Sequence, residues 1–119
     1  MDADYAQAIA TNEVWVAARD DGLVGALVLR PEHDHLFVDN VAVDPEAQGT
    51  GIGRALLEQA ERRAIALGLP ELRLLTHELM TENREMYERL GWEETEHRLE
   101  GRFSRVYFRK PVTSVPGGD

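Results

Sequence analysis

"VDPEAQGTGIGRALL", residues 43–57, carries three glycines at alternate positions, Gly49, Gly51 and Gly53, between an apolar stretch and a stretch of helical spacing. Lacking a Cβ, glycine enters tight or left-handed turns and lets main-chain N–H groups converge. A helix that begins here leaves its first-turn N–H groups unpaired and presents a partial positive charge. An anion fits such a place, a phosphate or pyrophosphate above all. A tight strand-to-helix connection alone would need one glycine rather than three. Two other phosphate loops fail on the residues: no Lys follows as a Walker loop requires, and in G-x-G-x-x-G the last position falls on Arg54 or Leu56.

Outward from this loop the chain alternates between the two periodicities. Residues 36–43, "LFVDNVAV", are apolar except for Asp39 and Asn40, which predicts a central strand covered on both faces. From Gly51 to Leu67, Ile52, Leu56, Ala60, Ala64 and Leu67 recur at helical spacing, and "GLP" (68–70) ends the helix. "ELRLLTH" (71–77) reads as the next strand. A second helix from about Thr81 places Asn83, Met86, Tyr87 and Leu90 on one face before Gly91 caps it. Upstream, "EVWVAAR" (13–19) and "LVGALVLR" (23–30) form a hairpin across "DDG", with a short helix expected over 3–11. Downstream, the charged "WEETEHRL" (92–99) suits a sheet edge, "FSRVYFRK" (103–110) a more interior strand, and 111–119 a flexible tail. Hairpins flanking a central βαβ unit predict an α/β fold with a mixed sheet, parallel in the middle and antiparallel outside.

Composition narrows the function classes. The 119 residues make one domain's worth, 43% hydrophobic and 29% charged, with a net charge of -9. That charge argues against broad nucleic-acid binding and leans slightly towards cationic substrates. No run is long and apolar enough to predict a membrane span, and the N-terminus does not read as a signal peptide, so a cytoplasmic location is the expectation. There is no cysteine, so an acyl-cysteine intermediate is excluded and any thiol must arrive with a ligand. His33, His35, His77 and His97 lack metal-ligand spacing, and no metal is expected.

Gln48-Gly49-Thr50-Gly51-Ile52-Gly53 closely resembles the acetyl-CoA loop of the GNAT superfamily of N-acetyltransferases, Q/R-x-x-G-x-G/A, at every fixed position. About 30 residues later "ENREMYERLGW" (82–92) resembles the family's helix with an Asn and a Tyr before a Gly-aromatic pair. The resemblance covers residues 13–110 and implies a V-shaped splay between the parallel strands, with flanking helices. It implies that the backbone of Val41, Ala42 and Val43 pairs with the pantetheine arm. The diphosphate would meet N–H groups of Gln48, Gly49, Thr50, Gly51, Ile52, Gly53 and Arg54. Asn83 is implied as a polar contact to the arm, and Tyr87 as the general acid for the departing thiolate, neutral at pH 7 with an ordinary pKa of about 10. Asp39 and Glu78 are the candidates for accepting the proton of the amine, which is mostly protonated at pH 7.

The resemblance also implies a strand and two helices before "EVWVAAR", where this chain has 12 residues. Residues 1–110 are therefore expected to form one acyl-CoA transferase domain with a shortened N-terminus and a depleted acceptor half. The expected reaction is direct acetyl transfer to a primary amine, of a small molecule or a protein, within a ternary complex. The alternative is a non-catalytic or truncated acetyl-CoA-binding module. An edge left bare by a missing strand would favour a homodimer.

Overall fold

Two hairpins and one crossover generate the architecture of the computed structural model, which describes residues 12–20 and 22–112. Strands β1 (Glu13–Arg19), β2 (Gly22–Pro31) and β3 (Leu36–Val43) form an antiparallel meander. A single helical turn (Pro45–Ala47) and helix α1 (Ile52–Leu67) cross to β4 (Glu71–His77), parallel to β3. Helix α2 (Thr81–Arg89) then leads to β5 (Glu93–Glu100) and β6 (Phe103–Pro111). The six strands run in the order β1-β2-β3-β4-β6-β5, so both hairpins flank one parallel pair, as the sequence predicts. The helix expected over 3–11 and residues 113–119 lie outside the described residues. The expected tail begins too early: Pro111 closes β6, and Val112 packs on the core and donates its N–H to the Pro70 carbonyl.

Burial explains why the elements assemble this way. Leu56, Leu57, Ala60 and Ala64 form the apolar stripe of α1, and they meet Leu27 and Leu29 of β2, Leu36 and Val38 of β3, and Leu72 and Leu74 of β4 in one core. Tyr87 of α2 joins the same core through Val106 and Phe108 of β6. Such alternation of buried and exposed positions is the signature of a sheet packed on one face. The expectation that residues 36–43 are covered on both faces is corrected here. Leu36 and Val38 are buried, whereas Asp39, Asn40 and Ala42 are exposed, and an irregularity in the β2–β3 register at Val28/Leu29 brings Asp39 and Asn40 out together. Strand β5 is exposed along nearly its whole length and lies at the sheet edge, where its charges oppose further pairing.

The sheet does not stay closed. Strands β3 and β4 pair only at Leu36↔Leu72 and Phe37↔Arg73. Beyond these residues the two strands diverge, although each keeps its other neighbour, β2 as far as Val43 and β6 as far as His77. The result is the V-shaped splay, with main-chain groups along both sides of the gap. A buried main-chain group needs a partner, so an opened parallel pair is a place where an extended ligand can supply one.

Candidate functional site

The glycine loop lies between β3 and α1. Asp44 caps the single turn with its carboxylate on the Glu46 N–H at 2.9 Å, and its own N–H is held by the Val24 carbonyl at 2.8 Å. The chain then reverses through Gly49 (φ 83°) and Gly51 (φ 88°), left-handed values that other residues rarely adopt. Gly51 is the residue from which α1 begins, and no side chain caps this helix end; its first turn holds no acidic residue either. Most helices satisfy these N–H groups with a Ser, Thr, Asp or Asn. Here they are left facing outward with the helix dipole behind them, the arrangement that suits a diphosphate. A Cβ added at Gly49 or Gly51 would meet nothing within 4 Å, so no packing in this chain calls for glycine there, and the neighbouring space is open. The residues present thus fit the diphosphate of an acyl-CoA.

The other implied positions adjoin this loop. Val41 and Val43 turn partly buried side chains towards α1, and Ala42 is exposed, so the backbone of all three runs along the diverged part of β3. Met86 reaches the loop from α2: its Sδ lies 3.9 Å from the Cβ position of Gly53. Tyr87 follows it and is 4% exposed, with its ring tilted against Trp92 (centroids 5.8 Å apart) and Phe108 (5.4 Å). Burial pushes its phenol pKa up, so the group keeps its proton throughout the neutral range. Asn83, half-buried, stands one turn before Tyr87 on α2.

The two candidate proton acceptors are not brought together. Asp39 projects from the outer face, away from both helices, and accepts from Arg30 at 3.3 Å while that guanidinium covers Phe37 at 4.6 Å. Glu78 follows β4 on the helix side, 3.6 Å from His97 Nε2, which is itself 2.5 Å from Ser104 Oγ. On the outer face a cavity of about 680 Å³ is lined by Arg30, Phe37, Arg73, Leu75, Tyr107 and Arg109, among others. Four arginines and three glutamates line it, so the chain's net negative charge is not concentrated there. Among the described residues no three His, Asp or Glu side chains gather as a metal would require, and no helix is long and apolar enough to cross a membrane.

Sequence reading missed Gly25. A Cβ there would stand 3.0 Å from Ile52 Cγ2, 3.0 Å from Leu56 Cδ1 and 3.2 Å from the Ala42 carbonyl. It is the glycine that lets α1 descend onto β2, and a lone glycine inside a strand was the available signal.

Comparison with known proteins agrees with this geometry. The family profile of the acetyltransferase (GNAT) domain matches residues 10–94. Among solved structures, nourseothricin acetyltransferase superposes with a TM-score of 0.81 at 25% identity, covering 88% of this chain and 68% of that one. The ribosomal-protein-S18-alanine N-acetyltransferase from Escherichia coli gives 0.78 at 22% identity, covering 92% and 75%. A GNAT family acetyltransferase from Elizabethkingia anophelis with acetyl-CoA bound gives 0.77 at 20% identity, covering 94% and 84%. With its glycine loop, its splayed strands and a profile match over most of its length, the chain belongs to the GNAT acetyltransferase family.

Proposed function

We propose that this chain transfers an acetyl group from acetyl-CoA to a primary amine, on a small molecule or a protein, directly within a ternary complex. The observation that carries the reading is the uncapped N-terminus of α1, opening beside unpaired strand edges. In this reading the diphosphate is held by the N–H groups between Gln48 and Arg54 that the loop leaves free, those of Gln48 and Thr50 donating to the Pro45 and Ala47 carbonyls, and the backbone of Val41, Ala42 and Val43 and the amide of Asn83 hold the arm that leads into the splay. Tyr87, protonated across the neutral range, donates to the departing thiolate. The incoming amine must lose a proton to attack, and Asp39 and Glu78 are the acceptors proposed, directly or through water. The absence of cysteine rules out an acyl-cysteine intermediate and favours direct transfer. No metal is part of the scheme.

A thiol-release assay over a panel of amines, run with acetyl-CoA titration, tests transfer and binding together. With a competent amine, Tyr87→Phe should keep acetyl-CoA affinity and lower turnover about 100-fold or more. The phenylalanine ring preserves the packing on Trp92 and Phe108, so unchanged turnover removes the acid role. Asp39→Asn and Glu78→Gln, compared in the same assay, assign the proton acceptor by which one flattens the pH profile.

One observation favours a second reading, an acetyl-CoA-binding module without transfer: the packing of Tyr87 accounts for its presence without chemistry. Binding with no thiol release across the panel would select it. A homodimer is proposed through β1, which pairs only with β2 among the described strands. A single monomeric species at high concentration in sedimentation would reject it.

A further inference from the structure

Of the 13 lysines and arginines in the sequence, Lys110 alone is a lysine. In a member of an acetyltransferase family it is the one side-chain amine that an acetyl donor could modify, because a guanidinium stays protonated and offers no lone pair. The fold does not leave that amine free. Lys110 Nζ donates to Glu61 Oε2 of α1 and to the Leu90 carbonyl just past α2, both at 2.7 Å. Its side chain is 20% exposed and crosses the bare backbone of Gly91, where a Cβ would stand 3.5 Å from Lys110 Cε. In the sheet it lies opposite Leu72, which is fully buried.

One ammonium therefore ties β6 to both helices, at the wall of a cavity of about 190 Å³ between α1 and α2. Each contact answers a need of the fold. The Leu90 carbonyl belongs to a helix end, where carbonyls lack an intrahelical partner, and the Glu61 carboxylate is half-buried and needs a cation.

We infer that Lys110 is an acetylation site gated by the fold, closed to an acetyl donor while Glu61 and the Leu90 carbonyl hold its ammonium and open only when α1 and α2 part from β6. Acylation needs the nitrogen lone pair. The ammonium gives one proton to solvent, the nitrogen attacks the acetyl carbonyl, the C–S bond of the thioester breaks, and the second proton leaves with the thiol. To follow that course Lys110 must abandon both contacts. The product is a neutral amide with one N–H in place of three, so the tie to both helices does not re-form and the modified chain is held less firmly closed.

Acetic anhydride labels amines without a cofactor site, so it tests the gate independently of the proposed function. With the full chain at about pH 8 and peptide mass spectrometry at Lys110, labelling should be about tenfold slower or more in buffer than in denaturing urea, the worth of one charge-assisted contact. Glu61→Gln should raise the rate in buffer about fivefold with an unchanged circular dichroism spectrum, whereas Glu58→Gln, whose carboxylate pairs with Arg54, should leave it as it was. Chain acetylated in urea and refolded should unfold at a lower urea midpoint than untreated chain, and the same treatment of Lys110→Arg should not move the midpoint. Equal labelling in buffer and in urea overturns the gate and makes Lys110 an ordinary surface lysine. Equal acceleration by the two glutamine variants overturns the role of Glu61, and a midpoint unmoved by acetylation overturns the tie.

Discussion

Gly25 and Gly51 stand on either side of the start of α1, and the surroundings of their missing side chains are opposite. At Gly25 the protein fills the space itself, with Ile52, Leu56 and the Ala42 carbonyl all within 3.2 Å of a would-be Cβ. At Gly51 nothing lies within 4 Å, yet the backbone holds a left-handed φ of 88°. The first glycine is consumed by packing, and the second leaves an opening at a helix end that nothing caps. One serves the fold and the other, in the proposed function, serves a ligand, so their substitutions should fail in different assays.

The largest effect is expected at Gly51. A valine there obstructs the approach to the first-turn N–H groups and should weaken acetyl-CoA binding 100-fold or more, measured by calorimetry. Its unfolding midpoint, recorded on the same sample, should fall by a smaller amount, from backbone strain of about 1–3 kcal/mol. Retained affinity would erase the distinction between the two glycines. Gly25→Val reverses the pattern. Overpacking against α1 and a backbone carbonyl should cost about 2 kcal/mol in urea unfolding, whereas affinity in the folded fraction should change little. A valine accepted at Gly25 without loss would mean that α1 sits further from β2 than described.

The same division separates what the sequence disclosed from what it hid. Loop, helices and strand order were legible because they rest on local rules: glycine at left-handed positions, a 3.6-residue apolar repeat in α1, and Gly68 and Gly91 after the helices. The one-sided burial of β3 was not, because Val41, Ala42 and Val43 look alike in sequence and only the fold decides which face is covered. Nor were the pairs that join distant segments, Lys110 with Glu61 and Arg63 with Glu13, 49 and 50 residues apart. The cavity between α1 and α2 depends on the two helices meeting, which no local pattern encodes. The candidate site was therefore read where it is made of backbone and missed where it is made of packing.

Arg63 and Glu13 offer a test of intermediate size on the fold side of the comparison. Two N–H donors of Arg63 reach the Glu13 carboxylate at 2.8 and 2.7 Å, and the guanidinium also covers Trp15 at 5.5 Å, tying β1 to α1. Hydrogen bonding to Arg63 holds the Glu13 carboxyl below its usual value of 4.5. A depressed folded-state pKa stabilises the fold above the unfolded value and loses that contribution as pH falls through the folded one. Arg63→Ala should therefore cost about 1 kcal/mol at pH 7, and less once Glu13 is protonated in both states. Urea unfolding of both proteins at pH 7 and pH 3 checks this; an equal difference at the two pH values would assign the effect to packing on Trp15.

Gly53 should give the smallest effect, and it sharpens the comparison most. It lies inside the first turn of α1 without a positive φ, and a Cβ there would stand 3.6 Å from Val43 Cγ2 and 3.9 Å from Met86 Sδ, ordinary contact distances. Neither the strain of Gly51 nor the crowding of Gly25 applies. Alanine loses less backbone freedom than glycine in a helix, so Gly53→Ala should raise stability by about 0.5 kcal/mol and leave acetyl-CoA affinity within about twofold. The resemblance points the same way, since the family's loop takes Gly or Ala at this position. Gly53→Val adds two methyl groups that must find room beside Val43 and Met86, and it should lose both stability and affinity. If alanine already lowered affinity tenfold, the ligand would approach the helix more closely than an uncapped first turn requires, and Gly53 would join Gly51 as a position kept bare for it.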